Sequence, residues 1–177
     1  MYLGKNIRFV TKDDISILTQ YRNKYRYNFF NPTYITDEDT RNWLATKPVN
    51  DFMFIVQQEN TTQLGQFGIY NIKYERPSHL ANGYPVYQLG SSNKNTAEFG
   101  RIISYDTGNW IIIEICNVVN ELIAYFDLDE LTLETYKDNE HAITFFFKLG
   151  FQVCDFGEQN GKATLKMKKV YYNSKQN

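Results

Sequence analysis

Glu98 to Phe151 constrains this 177-residue chain more than any other stretch, because it reads as strand, loop, helix, strand and helix in unbroken succession. Ala97 to Ser104 (AEFGRIIS) is a β-branched and aromatic run, and Tyr105 to Asn109 (YDTGN) supplies the Asp, Thr, Gly and Asn of a turn. From Ile111, spacing at about 100° per residue gathers Ile112, Ile115, Cys116, Val118, Val119, Leu122, Ile123, Tyr125 and Phe126 on one helical face. Glu114, Asn117, Asn120 and Glu121 fall opposite. Leu131 to Tyr136 (LTLETY) alternates with period two, as a half-buried strand does. Asp138 is placed to cap a second helix, on which Ala142, Phe145, Phe146 and Leu149 share one side and Glu140, His141, Thr144 and Lys148 the other. Gly150 is the left-handed residue expected after its last turn. Two strands joined through a helix call for a parallel, right-handed crossover.

The rest of the chain supports that unit. Ile7, Phe9 and Val10 give a first strand, and Thr11 with Asp14 starts a helix that carries Leu18, Tyr21 and Tyr25. Tyr25 to Pro32 (YRYNFFNP) is irregular, aromatic and basic; Thr36 with Asp39 repeats the capping pattern for a helix bearing Trp43 and Leu44. Asp51 to Gln58 and Gly65 to Ile72 read as an antiparallel hairpin. Lys73 to Thr96 is an insertion, too long for an ordinary hairpin connection, in which Tyr84 to Leu89 can form an edge strand and His79 stands alone. Phe151 to Phe156 and Lys162 to Val170 close the fold as a hairpin joined through Gly157 to Gly161. Residues 1–172 are expected to form a single domain and 173–177 a frayed tail.

Charge removes several classes of function. The 19 Lys and Arg nearly cancel the 20 Asp and Glu, giving a net charge of -1, so nothing pulls the chain as a whole towards nucleic acid or an anionic membrane. No apolar run approaches the roughly 18 residues of a bilayer span and neither end carries a signal sequence, so a soluble cytoplasmic protein is expected. Cys116 and Cys154 are the only cysteines and read as buried free thiols. There is no metal-ligand spacing, P-loop or dinucleotide fingerprint, so no metal is expected.

The sequence NEHAITFFFKLGF, from Asn139 to Phe151, resembles the N-x-x-A-I-x-x-Y-x-K-L-G-F signature of the GNAT superfamily of N-acetyltransferases. GQFGIYNI (Gly65 to Ile72) and AEFGRIIS resemble the third and fourth strands of the branch that acetylates nucleotide-linked amino sugars, and Ile7 to Asn23 resembles its opening strand and helix. The resemblance implies an α/β (α+β) GNAT fold: a mixed, mostly antiparallel sheet whose fourth and fifth strands run parallel and splay around the cofactor, with flanking helices. It implies transfer of an acetyl group from acetyl-CoA, as co-substrate, to the amine of a small-molecule acceptor. Pairing of two copies into a homodimer is left open.

The same resemblance assigns roles. Cofactor contacts fall on Ile102, Ile103, Gly108, Asn109, Trp110, Ile111, Ile112, Asn139 and Phe146, and acceptor contacts on Arg22, Asn23, Tyr27, Phe29, Phe30 and Arg101. Glu98 is the first candidate base; Glu134 and Tyr136 follow, each with strand pairing as its alternative role. Two departures stand against a simple inheritance. The family's pyrophosphate loop, Q/R-x-x-G-x-G/A, falls on Thr107 to Ile112, where Thr107, Trp110 and Ile112 replace the basic or amide position and the two small ones. Phe146 occupies the place of the tyrosine that protonates the leaving thiolate, and Phe has no proton to give. Two readings remain: an acetyltransferase with a relaxed CoA site, or a GNAT-fold protein that binds a ligand or partner without catalysis.

Overall fold

The computed structural model describes residues 6–57, 63–74, 94–105 and 110–171, with positions 110–112 described for their backbone alone. In chain order its elements are β1 (Ile7–Phe9), a 3₁₀ turn (Lys12–Asp14), α1 (Ile15–Lys24), a 3₁₀ turn (Arg26–Asn28), α2 (Asp37–Thr46), β2 (Phe52–Gln57), β3 (Gln63–Lys73) and β4 (Thr96–Ser104). They continue with α3 (Trp110–Tyr125), β5 (Glu130–Tyr136), α4 (Glu140–Lys148), β6 (Gln152–Gln159) and β7 (Lys162–Val170). The strands form one seven-stranded sheet in the order β1-β2-β3-β4-β5-β7-β6.

Every neighbouring pair in the sheet is antiparallel except β4 and β5. That parallel ladder is short, pairing Thr96 with Glu130, Ala97 with Leu131 and Glu98 with Thr132. Beyond it β4 follows β3 as far as Ser104, while β5 follows β7 as far as Tyr136. The two strands therefore part at Glu98 and Thr132, and among the described residues no strand pairs with the β5 side of β4 from Phe99 to Ile103. This is the mixed, mostly antiparallel, splayed sheet that the resemblance implies.

Alternation divides the side chains between two faces. Phe54, Phe67, Ala97, Phe99, Leu131, Leu133, Leu165 and Met167 join one core cluster with Ile115, Val118, Val119, Leu122 and Ile123 of α3 and Phe146 and Leu149 of α4. Helix α3 is rich in β-branched residues, each costing about 0.5 kcal/mol in helix propensity against alanine. Burial decides the contest, because each core side chain on its stripe contributes roughly 1.5–3 kcal/mol. The opposite face of the sheet carries Met53, Ile55 and Ile103, buried but outside that cluster, as are Ile15 and Leu18 of α1. Among the described residues no helix is long and apolar enough to cross a membrane.

Helix α4 ends as the sequence indicates and begins one residue later. Asn139 is its cap, its Oδ1 accepting the Ala142 N–H at 3.3 Å, whereas Asp138 sits in the preceding turn. At the other end the Phe151 N–H donates to the Phe146 carbonyl and the Gly150 N–H to the Phe147 carbonyl, with Gly150 at φ 86; this paired arrangement needs a left-handed residue. Three further expectations are corrected. The closing hairpin turns on Asn160 and Gly161 alone, at φ 54 and 73, so Gly157 stays within β6; an Asn-Gly pair is the preferred two-residue turn. Tyr125 is exposed, its ring meeting Phe126 at the helix end. Cys154 is exposed because β6 is the sheet's edge, and Cys116 is only half-buried. The edge strand expected within Tyr84 to Leu89, with His79, lies outside the described residues, as does the Gly108 and Asn109 turn.

The start of α1 is tied to β1 by a buried carboxylate. Asp14 accepts both Arg8 guanidinium nitrogens at 2.7 Å, the Thr11 N–H at 2.8 Å and the Gln63 side-chain amide at 2.8 Å. Burial opposes its charge, but the hydrogen bonds from Arg8 and Thr11 prevail and hold the carboxyl below its ordinary 3.8. A depressed carboxyl stabilises the fold fully above its unfolded value and ceases to as pH falls through the folded one. Asp14→Asn should therefore lower stability at neutral pH by about 1–3 kcal/mol and flatten the acid limb below about pH 4, as read by denaturant unfolding against pH.

Candidate active site

The site is built on a break in β4. Gln66 of β3 pairs with Ile103 and Gly68 with Gly100, so Arg101 and Ile102 together oppose the single residue Phe67. This is a β-bulge, and Arg101 takes φ 55, a left-handed value that an L side chain adopts at some cost. The side chain is held in return. Its guanidinium lies 4.2 Å from the Tyr70 ring centroid and 5.0 Å from that of Trp43, with Asp51 at 3.7 Å. Its Nη1 is nevertheless buried without a hydrogen-bond partner among the described residues.

Glu98 stands at the fork where β4 and β5 part, paired across the sheet with Tyr70 on one side and Thr132 on the other. Its Oε1 accepts the Asn71 amide at 2.9 Å. Asn71 occupies a second bulge, at φ 52, with its N–H donated to Asp51 Oδ1 at 3.1 Å. Gly100 follows Glu98 on the same face. A Cβ there would stand 2.7 Å from the Tyr70 hydroxyl oxygen, so the glycine is what lets that phenol lie across the strand. Burial, and then the neighbouring Glu98 charge, push the Tyr70 phenol up from its ordinary value.

The other expected site residues fall into separate groups. Phe30 meets Tyr136 edge-on at 5.0 Å, and Asn160 donates to both the Phe30 carbonyl and, at 3.2 Å, the Tyr136 hydroxyl. Arg22 lies 4.1 Å over the Phe29 ring and donates to the Asn31 carbonyl; burial draws its pKa down, and its Nη1 too is buried and has no partner among the described residues. Asn23 spends both ends of its amide on the Ile35 backbone, at 2.7 and 2.9 Å, and so fixes the loop ahead of α2. Tyr27 is exposed and carries Arg26 over its ring. Glu134, on β5, accepts the hydroxyl of Thr164 on the neighbouring β7.

On the cofactor side, Ile102 is in the bulge and packs on the core, while Ile103, paired with Gln66, is buried. Asn139 caps α4, and Phe146 is buried with its ring against Phe99, Phe145 and Phe151. Trp110, Ile111 and Ile112 form the first turn of α3. Tyr70, Asn71, Asp51 and Trp43 are absent from the sequence-based set, although Gly68 and Gly100 carried a signal. Glycine inside a strand marks a bulge or a close approach, and here Gly68 abuts Met53 and Gly100 abuts Tyr70.

A family model described as an acetyltransferase (GNAT) domain matches residues 6–152. No curated protein sequence matches the chain. Among solved structures, the spermidine N-acetyltransferase of Vibrio cholerae, in complex with CoA and spermine, superposes with a TM-score of 0.73 at 14% identity, covering 93% of this chain and 94% of that one. The ribosomal-protein-alanine N-acetyltransferase of Brucella melitensis gives 0.64 at 18% identity, with 93% and 99% covered.

Proposed function

Because the chain belongs to the acetyltransferase (GNAT) domain family, we propose that it transfers the acetyl group of acetyl-CoA to the primary amine of a nucleotide-linked amino sugar. The observation that carries the transfer is the parting of β4 and β5 at Glu98. A strand edge with free N–H and C=O groups suits an extended, amide-bearing arm such as that of CoA, which can pair with it as an added strand. The backbone N–H groups around Ile102 and Ile103 then hold the thioester carbonyl oxygen, where negative charge develops as the amine attacks. Glu98, on the adjoining face, takes the amine's proton directly or through water.

The acceptor reading rests on charge. Arg22 and Arg101 each keep a buried guanidinium N–H without a partner among the described residues, a costly state that a phosphate or sugar oxygen relieves. Phe29 beside Arg22 and Trp43 beside Arg101 each supply apolar area for a sugar or base. The fold likeness to a spermidine acetyltransferase makes a polyamine the competing acceptor.

Acetyl-CoA at 100 times its dissociation constant should stabilise the protein by about 2.7 kcal/mol, a thermal shift of roughly 5–10 °C. No shift at millimolar CoA would favour the non-catalytic reading. In an acceptor panel, amino-sugar nucleotides should turn over faster than spermidine or a peptide N-terminus. Turnover of spermidine alone would keep the transferase and reject the sugar.

A further inference from the structure

We propose that the Tyr70 hydroxyl is the catalytic proton donor to the departing CoA sulfur, filling the place that Phe146 leaves without an acid; the inference rests on the acetyl transfer proposed above. Tyr70 is the cross-strand partner of Glu98 at the fork of the sheet. Its hydroxyl lies over Gly100, within reach of the stretch of β4 that has lost its β5 neighbour. Tyr105 spends its proton on Gln66 at 2.6 Å, and Tyr136 lies against Phe30, where Asn160 donates to its hydroxyl. No hydrogen bond to the Tyr70 hydroxyl occurs among the described residues. The ring is clamped by Arg101, and burial keeps the phenol protonated at neutral pH, the state a donor needs.

The proton balance closes within the pair. The amine nitrogen attacks the thioester carbon, the C–S bond breaks, and the sulfur leaves with its electron pair and takes the proton from Tyr70 Oη. The amine's surplus proton goes to the Glu98 carboxylate. Passage of that proton from Glu98 to the neighbouring phenolate returns both groups to their starting states, with amide and free CoA thiol as products.

Tyr70→Phe keeps the ring that Arg101 covers and removes only the acid. It should lower kcat with acetyl-CoA by about 10²-fold, with acetyl-CoA affinity and melting temperature nearly unchanged. A fluorinated tyrosine at position 70 gives a second reading without loss of the hydroxyl: its greater acidity should move the alkaline limb of the kcat profile to lower pH. Wild-type turnover matched by Y70F, or an alkaline limb that stays in place, overturns the assignment and leaves the transfer standing. A wild type that acetylates no amine in the panel overturns both.

Discussion

Glu98→Gln should lower kcat on the amine acceptor by about 10²- to 10⁴-fold while leaving acetyl-CoA affinity within about twofold. The size follows from what the proposed role would lose: a carboxylate able to accept a proton from the attacking nitrogen becomes an amide that cannot. The selectivity follows from position, because Glu98 is the last residue of the β4–β5 ladder and points to the face that carries Tyr70, not into the cleft between the strands. Folding should be undisturbed, since the Gln carbonyl can still accept the Asn71 amide that Glu98 holds at 2.9 Å. Steady-state kinetics with CoA titration separates the two effects. An unchanged kcat would remove Glu98 from the chemistry and pass the role of base to another group, whereas a matching fall in CoA affinity would mean that the side chain shapes the cofactor cleft.

Phe99→Ala should destabilise the protein by about 3–5 kcal/mol, on the order of 10 °C in melting temperature. Phe99 is 1% exposed and joins β4 to the helical layer. Its ring stacks on Phe151 at 5.6 Å and meets Phe67 at 6.0 Å and Phe146 at 6.4 Å. Three aromatic neighbours cannot all collapse into the space, so a cavity remains and its cost adds to the lost burial. The same residue is the first on β4 beyond the β5 ladder, so the variant should also weaken acetyl-CoA binding through a looser cleft. Phe99→Leu, which fills part of the volume, should recover much of the loss. A melting temperature within about 2 °C of the wild type would show that Phe99 does not anchor this core.

Local order was legible wherever periodicity and end signals agreed. The 3.6-residue stripe of α3, the period-two pattern of β5 and the stop at Gly150 are properties of neighbouring residues, and each appears within a residue or two of its expected place. From these the parallel crossover followed, whereas the splay of its two strands was implied by the resemblance to the GNAT superfamily. Errors arose where one neighbour decides, as when Asn139 rather than Asp138 capped α4, or at the end of an element, as at Tyr125, the exposed last residue of α3. The site was legible only in part. Glu98 could be placed on a strand, but its partnership with Tyr70 depends on the register of β3 against β4, and that register is set by two bulges at Asn71 and Arg101. A bulge shifts every later side chain relative to its partner, and its position is fixed by long-range contacts such as Asp51 with Arg101 and with the Asn71 N–H. The sequence by itself determined the order and kind of the elements, because local propensity and periodicity suffice for those. Which phenol stands beside which carboxylate was decided by the tertiary structure, because strands distant in sequence must first be paired before their side chains can meet.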